Sequence, residues 1–282
     1  MQEFNTQKGL KTYLSSSELK TSTIGFVPTM GALHKGHLAL VKKSVEENEI
    51  TVVSIFVNPT QFNNKEDLEK YPRDIAKDKN LLGGISNSIL LFTPSVKEIY
   101  SDDVAAGSYD FQGMDLVMEG KYREDHFAGV ATIVEKLLTL VMPTRAYFGE
   151  KDFQQLQIIR ALVCLKKIPV QIVGCPIVRE PHGLAMSSRN QRLSESSRKE
   201  AGFIYQTLLA TKEKFGTENV QSIVDWATAQ FNHQRDLKIE YFEIAESDTL
   251  KKLTKKQDNK KYRAFIAVYT EGVRLIDNIA LN

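Results

Sequence analysis

The feature that most constrains this chain is the alternation of short apolar runs with charged, amphipathic stretches over its first 180 residues. Ile24–Val27 reads as a buried strand closed by Pro28, and an amphipathic helix follows from His37. Ile50–Val57 is a second strand, stopped by Asn58-Pro59. The pattern then predicts a helix over Lys65–Leu82, a strand at Ser88–Phe92, an apolar helix over Phe127–Val141 and a strand at Arg145–Phe148. A helix over Lys151–Lys167 and a strand at Val170–Val178 complete the series. Strands alternating with helices in this way specify an α/β fold with a doubly wound, mostly parallel sheet. In such sheets ligands sit beyond the carboxyl ends of the strands.

The pattern changes near Arg179. Two helices, over Ser194–Phe215 and Asn219–Gln234, precede three strands at Ile239–Ile244, Tyr262–Tyr269 and Arg274–Ile279, an α+β arrangement. The reading is therefore a Rossmann-like domain over residues 1–179 and a smaller α+β domain over 180–282, a length that suits two compact units.

Charge and cysteine content narrow the function. With 37 basic and 35 acidic residues the net charge is only +2, which gives no field to recruit nucleic acid or an acidic membrane. No apolar run is long enough to span a bilayer, and the first residues lack the basic-then-apolar order of a secretory signal. The two cysteines, Cys164 and Cys175, make neither a zinc ribbon nor a disulfide framework, so a cytoplasmic protein is expected.

Four clusters could carry chemistry. The first, Thr29-Met30-Gly31-Ala32-Leu33-His34-Lys35-Gly36-His37, lies between a strand and a helix. Its glycines allow close backbone approach to a phosphate, and the helix start offers N–H groups and a positive dipole end. His34 and His37, three apart, can present both imidazoles to one side and stabilise charge developing on a phosphoryl group. A phosphate loop of the P-loop type needs Lys then Ser or Thr after its last glycine; His37 and Leu38 stand there, and that reading fails. The competing reading is that the two histidines only cap the helix.

The second cluster, Phe148-Gly149-Glu150-Lys151-Asp152-Phe153-Gln154-Gln155, is another strand end, where Lys151 could meet a phosphate or simply belong to a charged helix start. The third, Met186-Ser187-Ser188-Arg189-Asn190, could be a flexible anion clamp or a solvated loop. The fourth, Phe56-Val57-Asn58-Pro59-Thr60-Gln61-Phe62, offers the Gln61 amide to a polar substrate or is turn chemistry alone. His126, His182 and His233 have no metal-ligand spacing and read as structural or solvated.

Taken in order, these blocks resemble the pantothenate synthetase (pantoate–β-alanine ligase) family. Tyr71-Pro72-Arg73, Glu119-Gly120, His126-Phe127-Ala128-Gly129-Val130, Ala146-Tyr147 and Arg274-Leu275-Ile276-Asp277-Asn278 extend the resemblance to essentially the whole chain. It implies a nucleotidyltransferase-type Rossmann domain with a C-terminal lid, in a cytoplasmic homodimer. It also implies an AMP-forming C–N ligase that joins (R)-pantoate to β-alanine through pantoyl adenylate, using ATP and Mg²⁺. On the matching positions, Met30, Gly31, Ala32, Leu33, His34, Lys35, Gly36 and His37 would contact ATP, with His37 as proton donor and His34 and Lys151 also catalytic. Gly149, Glu150, Lys151 and Asp152 would line the nucleotide and Val178 its adenine, while Met186, Ser187, Ser188 and Arg189 would grip the phosphates. Gln61 and Gln155 would hold pantoate. The chain departs from the family at Arg123-Glu124-Asp125-His126-Phe127, where Arg-Pro-Gly-His-Phe is usual, and at Tyr100-Ser101, where Tyr-Pro is usual. Two other readings share the fold: a class I aminoacyl-tRNA synthetase, for which the chain has little room and no basic tract, and a catalytically silent nucleotide-binding module.

Overall fold

The computed structural model describes residues 1–16, 19, 21–63 and 65–282. The chain divides into two compact units: residues 1–150 with 155–176, and residues 151–154 with 177–282.

The first unit begins with β1 (Gln2–Phe4) and α1 (Gln7–Leu14) and continues through β2 (Ile24–Thr29), α2 (Lys35–Glu47) and β3 (Ile50–Ile55). Then come α3 (Lys65–Glu69), α4 (Ile75–Gly83), β4 (Leu90–Phe92), α5 (Val96–Tyr100), α6 (Glu119–Tyr122), α7 (His126–Val141) and β5 (Arg145–Gly149). Helix α8 (Phe153–Lys166) and β6 (Gln171–Cys175) close it, although the first two residues of α8 group with the second unit. The six strands form one sheet in the order β1-β4-β3-β2-β5-β6 with every pairing parallel. All six residues of β3 are buried, as a strand covered on both faces requires. Val27, Val53, Leu91 and Tyr147, from the four central strands, share one apolar cluster with Leu40 and Val41 of α2.

The expected α/β class holds, with local differences that have physical causes. The single helix expected over Lys65–Leu82 is two helices, because Pro72 cannot continue the first and Asp74 caps the second by accepting the Lys77 N–H at 3.0 Å. The strand expected to close at Pro28 runs on to Thr29, with Pro28 in register with Ser54 of β3. The edge strand β1 escapes the sequence pattern altogether, since three residues show no period.

The second unit carries α9 (Glu195–Glu200), α10 (Phe203–Phe215) and α11 (Val220–Phe231), then β7 (Lys238–Glu246), β8 (Tyr262–Thr270) and β9 (Val273–Ala280). The three strands form an antiparallel meander. Ile204 and Leu208 of α10 and Ile223 and Ala227 of α11 pack with Phe242, Ile266 and Leu275 of the sheet. The helix expected over Ser194–Phe215 is interrupted at Ala201-Gly202.

Candidate functional site

The sheet order fixes where chemistry belongs in the first unit. From β2 the chain moves outward through β3 to β4, and from β5 it moves the other way to β6. The order therefore reverses between β2 and β5, which pair directly, and a doubly wound sheet binds ligands at the carboxyl ends flanking such a reversal. The Met30–His37 loop follows β2, and Gly149-Glu150 ends β5.

The loop after β2 is built by protein groups rather than left open. Gly31 takes φ +79°, and a Cβ there would stand 3.0 Å from both the Asp78 carboxylate and Ile55, so only glycine fits. Asp78, 1% exposed in α4, accepts the N–H of Ala32 at 2.9 Å and that of Leu33 at 2.7 Å. Burial pushes the Asp78 carboxyl up, and the two N–H bonds pull it back. His34 is the N-cap of α2: its Nδ1 accepts the Gly36 N–H at 3.1 Å, while the His37 Nδ1 accepts the His34 N–H over a longer 3.4 Å. The rings lie side by side, their centroids 4.1 Å apart.

This corrects one expectation. The N–H groups of Ala32, Leu33, His34 and Gly36 are already engaged within the protein, so the loop is not an unoccupied backbone cradle for phosphate. The cap reading and the catalytic reading are also no longer alternatives. With each Nδ1 accepting from the backbone, a neutral ring carries its proton on Nε2, the nitrogen farther from the main chain. Capping fixes the tautomer that makes both imidazoles donors.

Gln61 sits in the single helical turn after β3, 8% exposed. Asn58, 1% exposed, donates through Nδ2 to the Gln61 Oε1 and to the Gly129 carbonyl, both at 3.1 Å, and accepts the Tyr100 hydroxyl at 2.6 Å. Those bonds fix which way the Gln61 amide faces, with its Nε2 3.0 Å from the Met30 sulfur. The Gln61 carbonyl lies 2.8 Å from the Nδ1 of buried His126, which gives that histidine the structural role its sequence context suggests. Helix α7 approaches this turn so closely that a Cβ at Gly129 would stand 2.2 Å from the Thr60 carbonyl oxygen and 2.7 Å from the Gln61 nitrogen. Gly129→Ala should therefore cost roughly 1–3 kcal/mol, as overpacking against backbone does. A lowered urea midpoint with unchanged slope checks this.

Both departures from the family pattern settle into defined backbone. Asp125 adopts φ +56°, in the left-handed region that aspartate tolerates better than most residues. Ser101 has φ +54°, which a proline locked near −65° could not adopt. Tyr100 keeps its place: it is buried, which pushes its hydroxyl up, and it donates to Asn58.

Gly149, Glu150 and Gln155 belong to the first unit. All three are half-buried. Cys175, ending β6, has its thiol pushed up to about 11 by burial and stays protonated at neutral pH, so it is no nucleophile.

In the second unit stand Lys151, Asp152, Val178, Met186, Ser187, Ser188 and Arg189. The Lys151 ammonium lies 3.7 Å from the Asp152 carboxylate. The 177–190 segment is braced by hydrogen bonds of its own. The Met186 N–H donates to the Val178 carbonyl, and Arg179 bridges to Ala185. Asn190 donates to Glu180 at 2.9 Å and to the Ala185 carbonyl at 3.1 Å. The Ser187 hydroxyl oxygen accepts the Arg189 N–H and caps the turn Ser188–Arg192. Asp78 and Tyr100 are the contributors that sequence reasoning missed; one acid among 35 carries no local signal of the loop it will hold.

Comparison with known proteins agrees over the full length. The family model for pantoate-beta-alanine ligase matches residues 2–280. A pantothenate synthetase of Christiangramia forsetii is 52% identical over 282 residues, covering all of both chains. One from Bacteroides fragilis is 47% identical over 279 residues, covering 99% of this chain and 98% of its own. Among solved structures, pantothenate synthetase from Thermus thermophilus superposes with a TM-score of 0.91 at 40% identity, covering 100% of this chain and 99% of that one. A Francisella tularensis pantoate-beta-alanine ligase, complexed with beta-gamma ATP and beta-alanine, gives 0.81 at 36% identity, covering 100% and 98%. With its fold and its sequence matched from end to end, the chain belongs to the pantoate-beta-alanine ligase family.

Proposed function

We propose that this ligase activates pantoate by adenylation, with the His34–His37 pair acting at the α-phosphorus of ATP. Membership of the family makes the chain an enzyme of pantothenate formation and sets aside the tRNA-charging and silent-module readings. The observation that carries the adenylation reading is the pair of capping imidazoles beyond β2, each with Nδ1 engaged and therefore Nε2 protonated.

A pantoate carboxylate oxygen attacks the α-phosphorus, and the bond to the β-phosphate oxygen breaks, releasing pyrophosphate. Charge grows on the phosphoryl oxygens during this step, where two fixed N–H donors stabilise it. His37 donates its proton toward the departing oxygen, and the Lys151 ammonium adds positive charge. The β-alanine amine then attacks the acyl carbon, loses a proton and expels AMP, which keeps one oxygen of the original carboxylate.

In the first unit, Met30, Gly31, Ala32, Leu33, His34, Lys35, Gly36 and His37, with Gly149 and Glu150, are assigned to ATP. Gln61 and Gln155 are assigned to pantoate, and Gln61 also to β-alanine. In the second unit Lys151 and Asp152 are assigned to the nucleotide, Val178 to its adenine, and Met186, Ser187, Ser188 and Arg189 to its phosphates. Among the described residues no group of three or more His, Cys, Asp or Glu side chains forms a metal cage. Mg²⁺, which the family resemblance implies, would be held mainly by phosphate oxygens and water with one or two carboxylates, such as exposed Asp152, and would screen the triphosphate's charge. No helix of the described residues is long and apolar enough to cross a membrane. We place the enzyme in the cytoplasm as a homodimer, in line with the family resemblance.

Oxygen labelling tests the route. Pantoate carrying heavy oxygen in its carboxylate should deliver label to AMP in one turnover, read by mass spectrometry. Unlabelled AMP, or ADP with labelled inorganic phosphate, would instead reveal an acyl phosphate and overturn the adenylation reading.

A further inference from the structure

We infer that Asn278 of β9 is the residue that positions Lys151 for the nucleotide, an inference that rests on the assignment of Lys151 to ATP above. Asn278 is 2% exposed, and its side chain works at both ends. Its Nδ2 donates to the Lys151 carbonyl oxygen at 2.9 Å, across 127 residues of sequence. Its Oδ1 accepts from Arg263 of β8, whose guanidinium lies 3.8 Å from the ring centroid of Phe153. The Arg263 bond decides the orientation of the amide: a guanidinium can only donate, so Oδ1 must face it and Nδ2 is left for Lys151. Phe153 also meets Phe265 of β8, with ring centroids 6.0 Å apart.

Residues 151 and 153 are thus gripped from β8 and β9 by a hydrogen bond, a cation–π contact and an aromatic contact. This accounts for the grouping of residues 151–154 with the second unit, although they follow a strand of the first. The preceding residue of β9 does the same for the phosphate loop. Asp277, 3% exposed, accepts both ends of the Arg179 guanidinium, at 2.5 and 3.0 Å. Arg179 also donates to the Gly183 carbonyl at 3.0 Å and lies 3.6 Å from the centroid of the Tyr205 ring. Adjacent residues of one strand therefore hold the backbone beneath Lys151 and the arginine at the base of the Met186–Arg189 loop. A lysine stem is flexible, so fixing its backbone is the means by which a fold limits where the ammonium goes.

The test is a double-mutant cycle on pyrophosphate release with ATP and pantoate. Asn278→Ala should lower kcat/KM for ATP on the order of 10²-fold, the scale of a displacement near 1 Å. Asn278→Asp retains the volume and the Arg263 contact but sets an oxygen against the Lys151 carbonyl; it should fold and be similarly impaired. Lys151→Ala leaves the carbonyl, and hence the Asn278 hydrogen bond, in place while removing the ammonium. In that background Asn278→Ala should cost less than about threefold, because coupled residues are not additive. Equal losses in both backgrounds, or no loss from either Asn278 variant, would overturn the inference and leave Asn278 a structural residue. If Lys151→Ala alone is silent, the assignment of Lys151 to ATP fails instead.

Discussion

A pantoate analogue lacking its 2-hydroxyl should be adenylated roughly 10⁴-fold less efficiently than pantoate, the discrimination expected of a site built to hydrogen-bond a hydroxyl. The expectation follows from how the Gln61 amide is held. It is 8% exposed, Asn58 occupies its oxygen, and among the described residues its Nε2 meets the Met30 sulfur, a weak acceptor. A substrate hydroxyl gives that N–H a strong acceptor; the deoxy analogue buries it with a poor one, and an unsatisfied buried donor is costly. Gln155, half-buried on α8, is the second amide of the proposed subsite. The measurement is kcat/KM for pyrophosphate release with each compound. Equal values would mean that the glutamines do not read the hydroxyl. The rigid support makes the selectivity large, because Asn58 is itself fixed by Gly129 and Tyr100 and the amide cannot turn to find another partner.

Replacing His37 with alanine should slow pyrophosphate release on the order of 10²–10³-fold, the usual cost of removing one donor at a developing oxyanion. The same side chain accepts the His34 N–H at the start of α2, so the variant also loses part of a helix cap, worth about 1 kcal/mol of stability. A second variant separates the two effects. Asparagine sets an acceptor oxygen at the position of Nδ1, able to receive the His34 N–H, but has no group where Nε2 lies. His37→Asn should therefore regain stability and remain as slow as His37→Ala. Recovery of the rate by asparagine would reduce His37 to a cap and remove it from the chemistry.

The strands were legible from the sequence because parallel strands covered on both faces are written as unbroken apolar runs: Ile24–Val27 and Ile50–Val57 read as strands without tertiary knowledge, although the second ends at Ile55. Three-residue β1, and the breaks at Pro72 and at Ala201-Gly202, fell below what a period can reveal. The histidine pair was legible for a similar reason, since three residues along a helix start is a local relation whose geometry the backbone imposes. Its second half was hidden. The loop reads as open backbone until Asp78, more than forty residues on, is found accepting its N–H groups.

The sequence by itself therefore determined the strand–helix alternation of the parallel sheet and the blocks that mark the family. Tertiary structure alone decided the strand order that places a reversal between β2 and β5. It alone decided that Asp78 closes the loop, that Asn58 orients Gln61, and that β9 holds Lys151 and Arg179. The physical reason is range. Periodicity records which face of an element is dry and so is written within a dozen residues. A buried carboxylate or amide is satisfied by whichever partner the fold carries to it, here 46 or 127 positions away, and no local pattern encodes that distance.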